Sequence, residues 1–180
     1  MKRGALWFAV CLLAMPAMAM QTAWVSWVMD GDTVLLVPDG EREPVRLRIQ
    51  GIDAPESCQP GGDRARDALI AMVLRRTVRI ELTGQDSYGR QLGRLWVQEQ
   101  DVGAEMVRAG WAWAYSFRTG RGPYAAQQRE AERERRGLFA AQETAMSPAV
   151  FRQFHGSCHA GVEGQARAER APHTGQAGSR

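Results

Sequence analysis

No apolar run in this chain of 180 residues reaches the about 20 residues that a helix needs to cross a bilayer. The longest, Leu6 to Met15, follows a basic start at Met1-Lys2-Arg3 and is broken by Pro16. Ala17-Met18-Ala19 then matches the small-residue cleavage pattern of a secretory leader. Residues 1–19 therefore read as a signal peptide, and the mature chain as an exported protein starting near Met20 with no membrane anchor. Cysteine is scarce: there are three, and Cys11 sits inside the leader behind the bulky Val10, which argues against lipid attachment. Cys58 and Cys158 remain, in a compartment where thiols tend to pair. A bridge between them would tie the chain's end back to the domain and contribute about 2–4 kcal/mol where its geometry permits. Excess charge of one sign is scarce too. The formal net charge is +3, and Lys2 and Arg3 supply two of it, so the mature chain is close to neutral. No bulk attraction to nucleic acid survives; whatever binds phosphate must be local. There is no internal repeat. The length suits one domain, over residues 20–155. After about Gly156 the composition turns to Gly, Ala, Gln, Arg and Ser, which predicts a disordered tail over 156–180.

What is present alternates. Thr33 to Pro38 is rich in β-branched and aliphatic residues and follows an Asp-Gly turn signal. Val45, Leu47 and Ile49 alternate with Arg46, Arg48 and Gln50, predicting a half-buried strand with its arginines on the polar face. Val78, Ile80 and Leu82 repeat the pattern, Leu92 to Val97 follows a Tyr-Gly turn, and Trp111 to Tyr115 is a short aromatic candidate strand. Helical patterns lie between them: one capped by Asp63 with Ala65, Ala68, Leu69, Met72 and Val73 inward, one over Val102 to Val107 stopped by Gly110, and one from Tyr124 to Arg136 with a solvated charged face. Five short strands with inserted helices describe a small mixed barrel better than a parallel α/β sheet.

The side chains that could carry chemistry fall in four segments. Asp30-Gly31-Asp32-Thr33 puts two carboxylates at a turn entering a strand, although Leu35 at the sixth position rules out an EF-hand loop. Arg48-Ile49-Gln50-Gly51-Ile52-Asp53-Ala54-Pro55-Glu56 collects an arginine, two acids and a proline-fixed corner. Asp86-Ser87-Tyr88-Gly89-Arg90 is a turn with a second arginine and a tyrosine, and Tyr115 ends the aromatic segment. Each residue alone reads as an ordinary turn, cap or solvated side chain. Together they gather acids and arginines at strand ends, where loops on a rigid scaffold concentrate function. Oxygen donors select hard cations such as calcium, and arginine forks match phosphate oxygens.

In order and spacing these three motifs resemble the staphylococcal nuclease (thermonuclease) family, over roughly Val25 to Phe139. The resemblance implies a mainly β, α+β fold: a five-stranded OB-fold-type barrel with about three helices. It implies a calcium-dependent phosphodiesterase that cuts DNA or RNA as a monomer, holding one Ca²⁺ and leaving 3′-phosphate ends. Asp32 and Asp53 match the carboxylate ligands of the ion, with the Ala54 carbonyl a third. Glu56 matches the acid that orients or deprotonates the attacking water. Arg48 and Arg90 match the arginines on the scissile phosphate, and Tyr88 and Tyr115 match residues near the nucleotide. Ser87 stands where the staphylococcal enzyme has a lysine, and Phe117 where it has a tyrosine. The alternative is a non-catalytic barrel that only binds nucleic acid or protein, but the set Asp32, Arg48, Asp53, Glu56 and Arg90 is complete. His155, Cys158 and His159 suggest zinc by spacing, without a fourth ligand.

Overall fold

A computed structural model describes residues 20–116, 122–140 and 146–158. The leader, Phe117, His159 and the residues after it lie outside them. Strands β1 (Gln21–Val28), β2 (Thr33–Pro38), β3 (Val45–Ile49), β5 (Thr77–Gln85) and β6 (Gln91–Val97) run in the order β3-β2-β1-β5-β6 and close through a β3–β6 pairing. The result is a five-stranded barrel, antiparallel except at the closure, where Leu47 pairs with Gln91 and Arg48 with Leu92 in parallel. Two-residue strands β4 (Ile52–Asp53) and β8 (Trp113–Ala114) form a separate antiparallel pair, and β7 (Gln100–Asp101) folds back antiparallel on the end of β6.

The strand count agrees with the expectation, but its membership differs. The first barrel strand is β1, which the alternation test passes over, while the aromatic segment supplies only Trp113–Ala114. The reason is visible in β1. Ala23, Val25 and Val28 face inward, with the register shifted between Val25 and Trp27, so the inward phase slips by one residue. Trp24 and Trp27 lie on the outside, 46% and 54% exposed, and Arg66 covers the Trp27 ring from 5.4 Å. Apolar residues on both faces and a bulge together erase the period of two.

Helix α1 (Gly62–Val73) lays Ala65, Leu69 and Val73, one turn apart, against the barrel. Its N-cap is Gly61 rather than Asp63, which sits inside the first turn and makes no capping bond. A Cβ on Gly62 would meet the Glu56 carbonyl oxygen at 2.1 Å, so a side chain there would collide with the backbone of the preceding loop. Helix α2 (Val102–Arg108) is capped by Asp101, which accepts from the Ala104 amide and is also bound by Arg94 and by the Tyr124 hydroxyl ahead of α3 (Ala125–Arg133). One carboxylate thus joins β6, α2 and the start of α3. A fourth helix, α4 (Pro148–His155), was not among the three expected. Ser147 caps it, accepting from the Val150 amide, with Pro148 at the first turn.

The core is aliphatic, with Leu36, Leu47, Ile49, Leu69, Ile80 and Leu95 removed from solvent. Leu47 sits at the β3–β6 closure, and Leu47→Ala should cost about 2–5 kcal/mol. Urea unfolding should show this as a lower midpoint with an unchanged slope; an unaltered midpoint would mean that the closure does not depend on its packing.

Candidate active site

Asp32 and Asp53 are buried, only 6% and 2% exposed, and come from different turns. The Asp30-Gly31-Asp32 turn is built locally: the Asp32 amide donates to Asp30 Oδ1, and Thr33 Oγ1 donates to Asp32 Oδ1. Gly31 lets this turn close on its neighbours, since a Cβ there would lie 2.6 Å from the Ala54 Cβ and 2.8 Å from that of Ala65. The close approach allows the Ala54 amide to donate to Asp32 Oδ2 at 2.9 Å. Asp53 is set by the β4–β8 pair, opposite Trp113.

Arg48 joins the two. The β2–β3 register places it opposite Thr33, one residue from Asp32. Its Nη2 lies 3.0 Å from Asp32 Oδ2 and 3.1 Å from Asp53 Oδ1, and its Nη1 donates to the carbonyls of Ile49 and Ile52. Burial pushes the Asp32 carboxyl up to about 8; Arg48 opposes that shift, while Asp30 and Asp53 add to it.

Glu56 follows on the loop after Ala54-Pro55, its amide donating to Gln59 Oε1. The side chain that meets it was not anticipated from sequence: Arg152 of α4. Arg152 Nη1 lies 2.8 Å from Glu56 Oε1 and 3.2 Å from Asp53 Oδ1, and its Nη2 lies 2.8 Å from Asp53 Oδ2. Burial opposes its charge, but the two carboxylates more than offset this and hold the guanidinium protonated. A signal did exist. Cys58 and Cys158 are disulfide-bonded, and the bridge starts two residues after Glu56, so a basic residue shortly before Cys158 falls within reach of the acids.

Arg90 and the tyrosines are less tightly gathered. Arg90 stands one residue before β6, next to Gln91, which pairs with Leu47 at the closure of the barrel. Its guanidinium is engaged by Asp86 at 2.8 Å and lies 5.5 Å from the ring of Tyr88, which is 71% exposed. Burial works against the Asp86 charge, but Arg90 and the turn amides hold its carboxyl below the usual range. The Tyr115 amide donates to the Gly51 carbonyl just past β8, two residues along from Asp53's pairing partner. Of the residues with zinc-like spacing, which lack a fourth ligand, Cys158 is in the bridge, His155 stacks on Phe151, and His159 lies outside the described residues.

Whether the acids suit a metal depends on their donors. No group of three or more His, Cys, Asp or Glu side chains arranged for an ion occurs among the described residues. Two carboxylates aided by a backbone carbonyl and water need no such group. Asp32 and Asp53 already converge on one cationic nitrogen of Arg48, and their donors are oxygen alone, which fits a hard divalent cation.

Over residues 46–141 the sequence matches the family described as staphylococcal nuclease homologue. This chain belongs to the staphylococcal nuclease family. It is a phosphodiesterase of the nuclease class, and such enzymes generally depend on a metal. It is 44% identical over 126 residues to protein ParB of Escherichia coli, covering 65% of this chain and 70% of that one. It is 36% identical over 143 residues to micrococcal nuclease of Shigella flexneri, covering 72% and 80%. It is 34% identical over 119 residues to an uncharacterized endonuclease of Haemophilus influenzae, covering 66% of each. Asp32 and Arg152 both fall outside the matched segment and are brought to it by the β2–β3 register and by α4.

The raised Asp32 carboxyl has a consequence for stability without metal. Between about 4 and about 8 the folded protein holds a proton that the unfolded chain has released, so stability falls as pH rises through this window. In chelator, Asp32→Asn should therefore gain melting temperature relative to wild type as pH goes from about 5 to about 8. A difference that stays constant with pH would show that Asp32 is not the titrating group.

Proposed function

We propose that this nuclease is exported, depends on calcium, and hydrolyses DNA or RNA to leave 3′-phosphate ends. The observation that carries the reading is the convergence of Asp32, Asp53, Arg48 and Glu56 on one corner from two separate segments. Asp32, Asp53 and the Ala54 carbonyl would hold calcium, which when bound supplies a Lewis acid for the phosphoryl oxygen. Glu56 accepts a proton from the attacking water. Arg48 and Arg90 bind the phosphate and neutralise the charge that grows on its oxygens. Tyr88, exposed beside Arg90, offers a ring for the nucleotide. The 5′-oxygen leaves as an alcohol, which puts the phosphate on the 3′ side.

Purified mature protein should nick plasmid and digest RNA with calcium and stop in chelator. Glu56→Gln and Arg90→Ala should each lower the rate by about 10²–10³, as removal of a transition-state donor does. Cutting that survives both changes would place the chemistry elsewhere. Retarded, salt-sensitive migration of nucleic acid without cutting would favour a binding module instead.

Support for export comes from the leader pattern over residues 1–19 and from the Cys58–Cys158 bridge. Fractionated bacterial cells should release a protein whose first residue is near Met20. A cytoplasmic product retaining Met1 would refute export.

A further inference from the structure

The loop after Asp53 is stapled to α4 at both ends. At the N-terminal end of the helix, Gln59 Nε2 donates to the Met146 carbonyl at 2.6 Å. At the C-terminal end, three residues past His155, Cys158 is bonded to Cys58. Between these fasteners, Phe151 packs inward at 8% exposure and Arg152 projects onto Asp53 and Glu56.

That contact uses the same oxygens the proposed chemistry requires. Both oxygens of Asp53 are engaged by Arg152, and Oδ1 is shared with Arg48. Glu56 Oε1 is taken as well. Two guanidiniums, Arg48 and Arg152, already face the acids here. Adding a divalent cation would bring further positive charge beside them around the buried Asp53, where like charges repel strongly. A carboxylate whose oxygens are turned to a guanidinium has fewer lone pairs left for a metal, and an acid paired to a guanidinium is a poor base for water.

We propose that α4 is an autoinhibitory strap: Arg152 takes both oxygens of the metal ligand Asp53 and pairs the base Glu56, so calcium and the docked helix are mutually exclusive. The proposal rests on the reading of Asp32 and Asp53 as metal ligands. The bridge and the Gln59 contact make docking intramolecular, which raises the effective concentration of the guanidinium at the site. The nuclease is then closed at low calcium and opens when the ion outcompetes a tethered arginine. Apparent calcium affinity is reduced by the fraction of molecules in which the strap is open.

Calorimetric titration of calcium chloride into the full-length mature protein reads this directly. Arg152→Gln should bind calcium about tenfold or more tightly than wild type. The Cys58→Ser/Cys158→Ser double variant keeps Arg152 but loses one fastener, and it should also bind more tightly. Adding both serines to Arg152→Gln should bring no further gain, since the fastener acts only through the arginine. In the wild type, calcium should speed amide hydrogen exchange across α4. Calcium binding that is unchanged or weakened in Arg152→Gln, or that leaves α4 exchange untouched, would overturn the strap while leaving the metal site standing. No calcium binding by any variant would overturn the metal site, and the strap with it.

Discussion

Two aspartates lie almost out of water at one corner of the barrel, and a buried carboxylate without a partner costs several kcal/mol. Asp32 and Asp53 are tolerable there because Arg48 reaches both and is itself held in place by the Ile49 and Ile52 carbonyls. Much of the local structure serves that contact. The β2–β3 register brings Arg48 beside Asp32, Gly31 removes the Cβ that would block the turn, and the β4–β8 pair sets the depth of Asp53. The corner is therefore held together by charges that burial makes costly, and Asp32 answers by holding its proton toward neutral pH.

A site of this kind conflicts with stability by construction. The oxygens that suit a hard cation are the ones that repel each other when no cation is present. The protein meets that conflict with guanidiniums, Arg48 from β3 and Arg152 from α4, and each is anchored by backbone or packing rather than left to find the acids from solvent. Local rules bend at the same place: polar atoms are buried, a glycine is required by contact, and a helix is bound to a loop at both ends.

Much of this was legible beforehand. The strands β3 and β5 alternate cleanly because one face of each is buried, β2 and β6 show as short apolar runs after turn signals, and the acids and arginines sit in short motifs whose spacing is local. Strand β1 was hidden by Trp24, Trp27 and the bulge between Val25 and Trp27. Helix α4 was hidden by length: its eight residues carry a single inward aromatic, Phe151, too little for a period to register. Asp63 looked like a cap because its residue type favours that position, yet the turn of Gly61 starts the helix two residues earlier.

Residue type and spacing by themselves indicated a small barrel and the oxygen and guanidinium chemistry gathered at its turns, because those properties repeat over a few residues along the chain. Only the tertiary structure decided which charges face one another. Arg152 stands almost a hundred residues from Asp53 and meets it through a helix, a capped turn and a bridge, of which only Cys58 leaves a mark near Asp53 in the sequence. Pairing across such a distance is set by how the closed barrel orders its surface, and no local pattern encodes it.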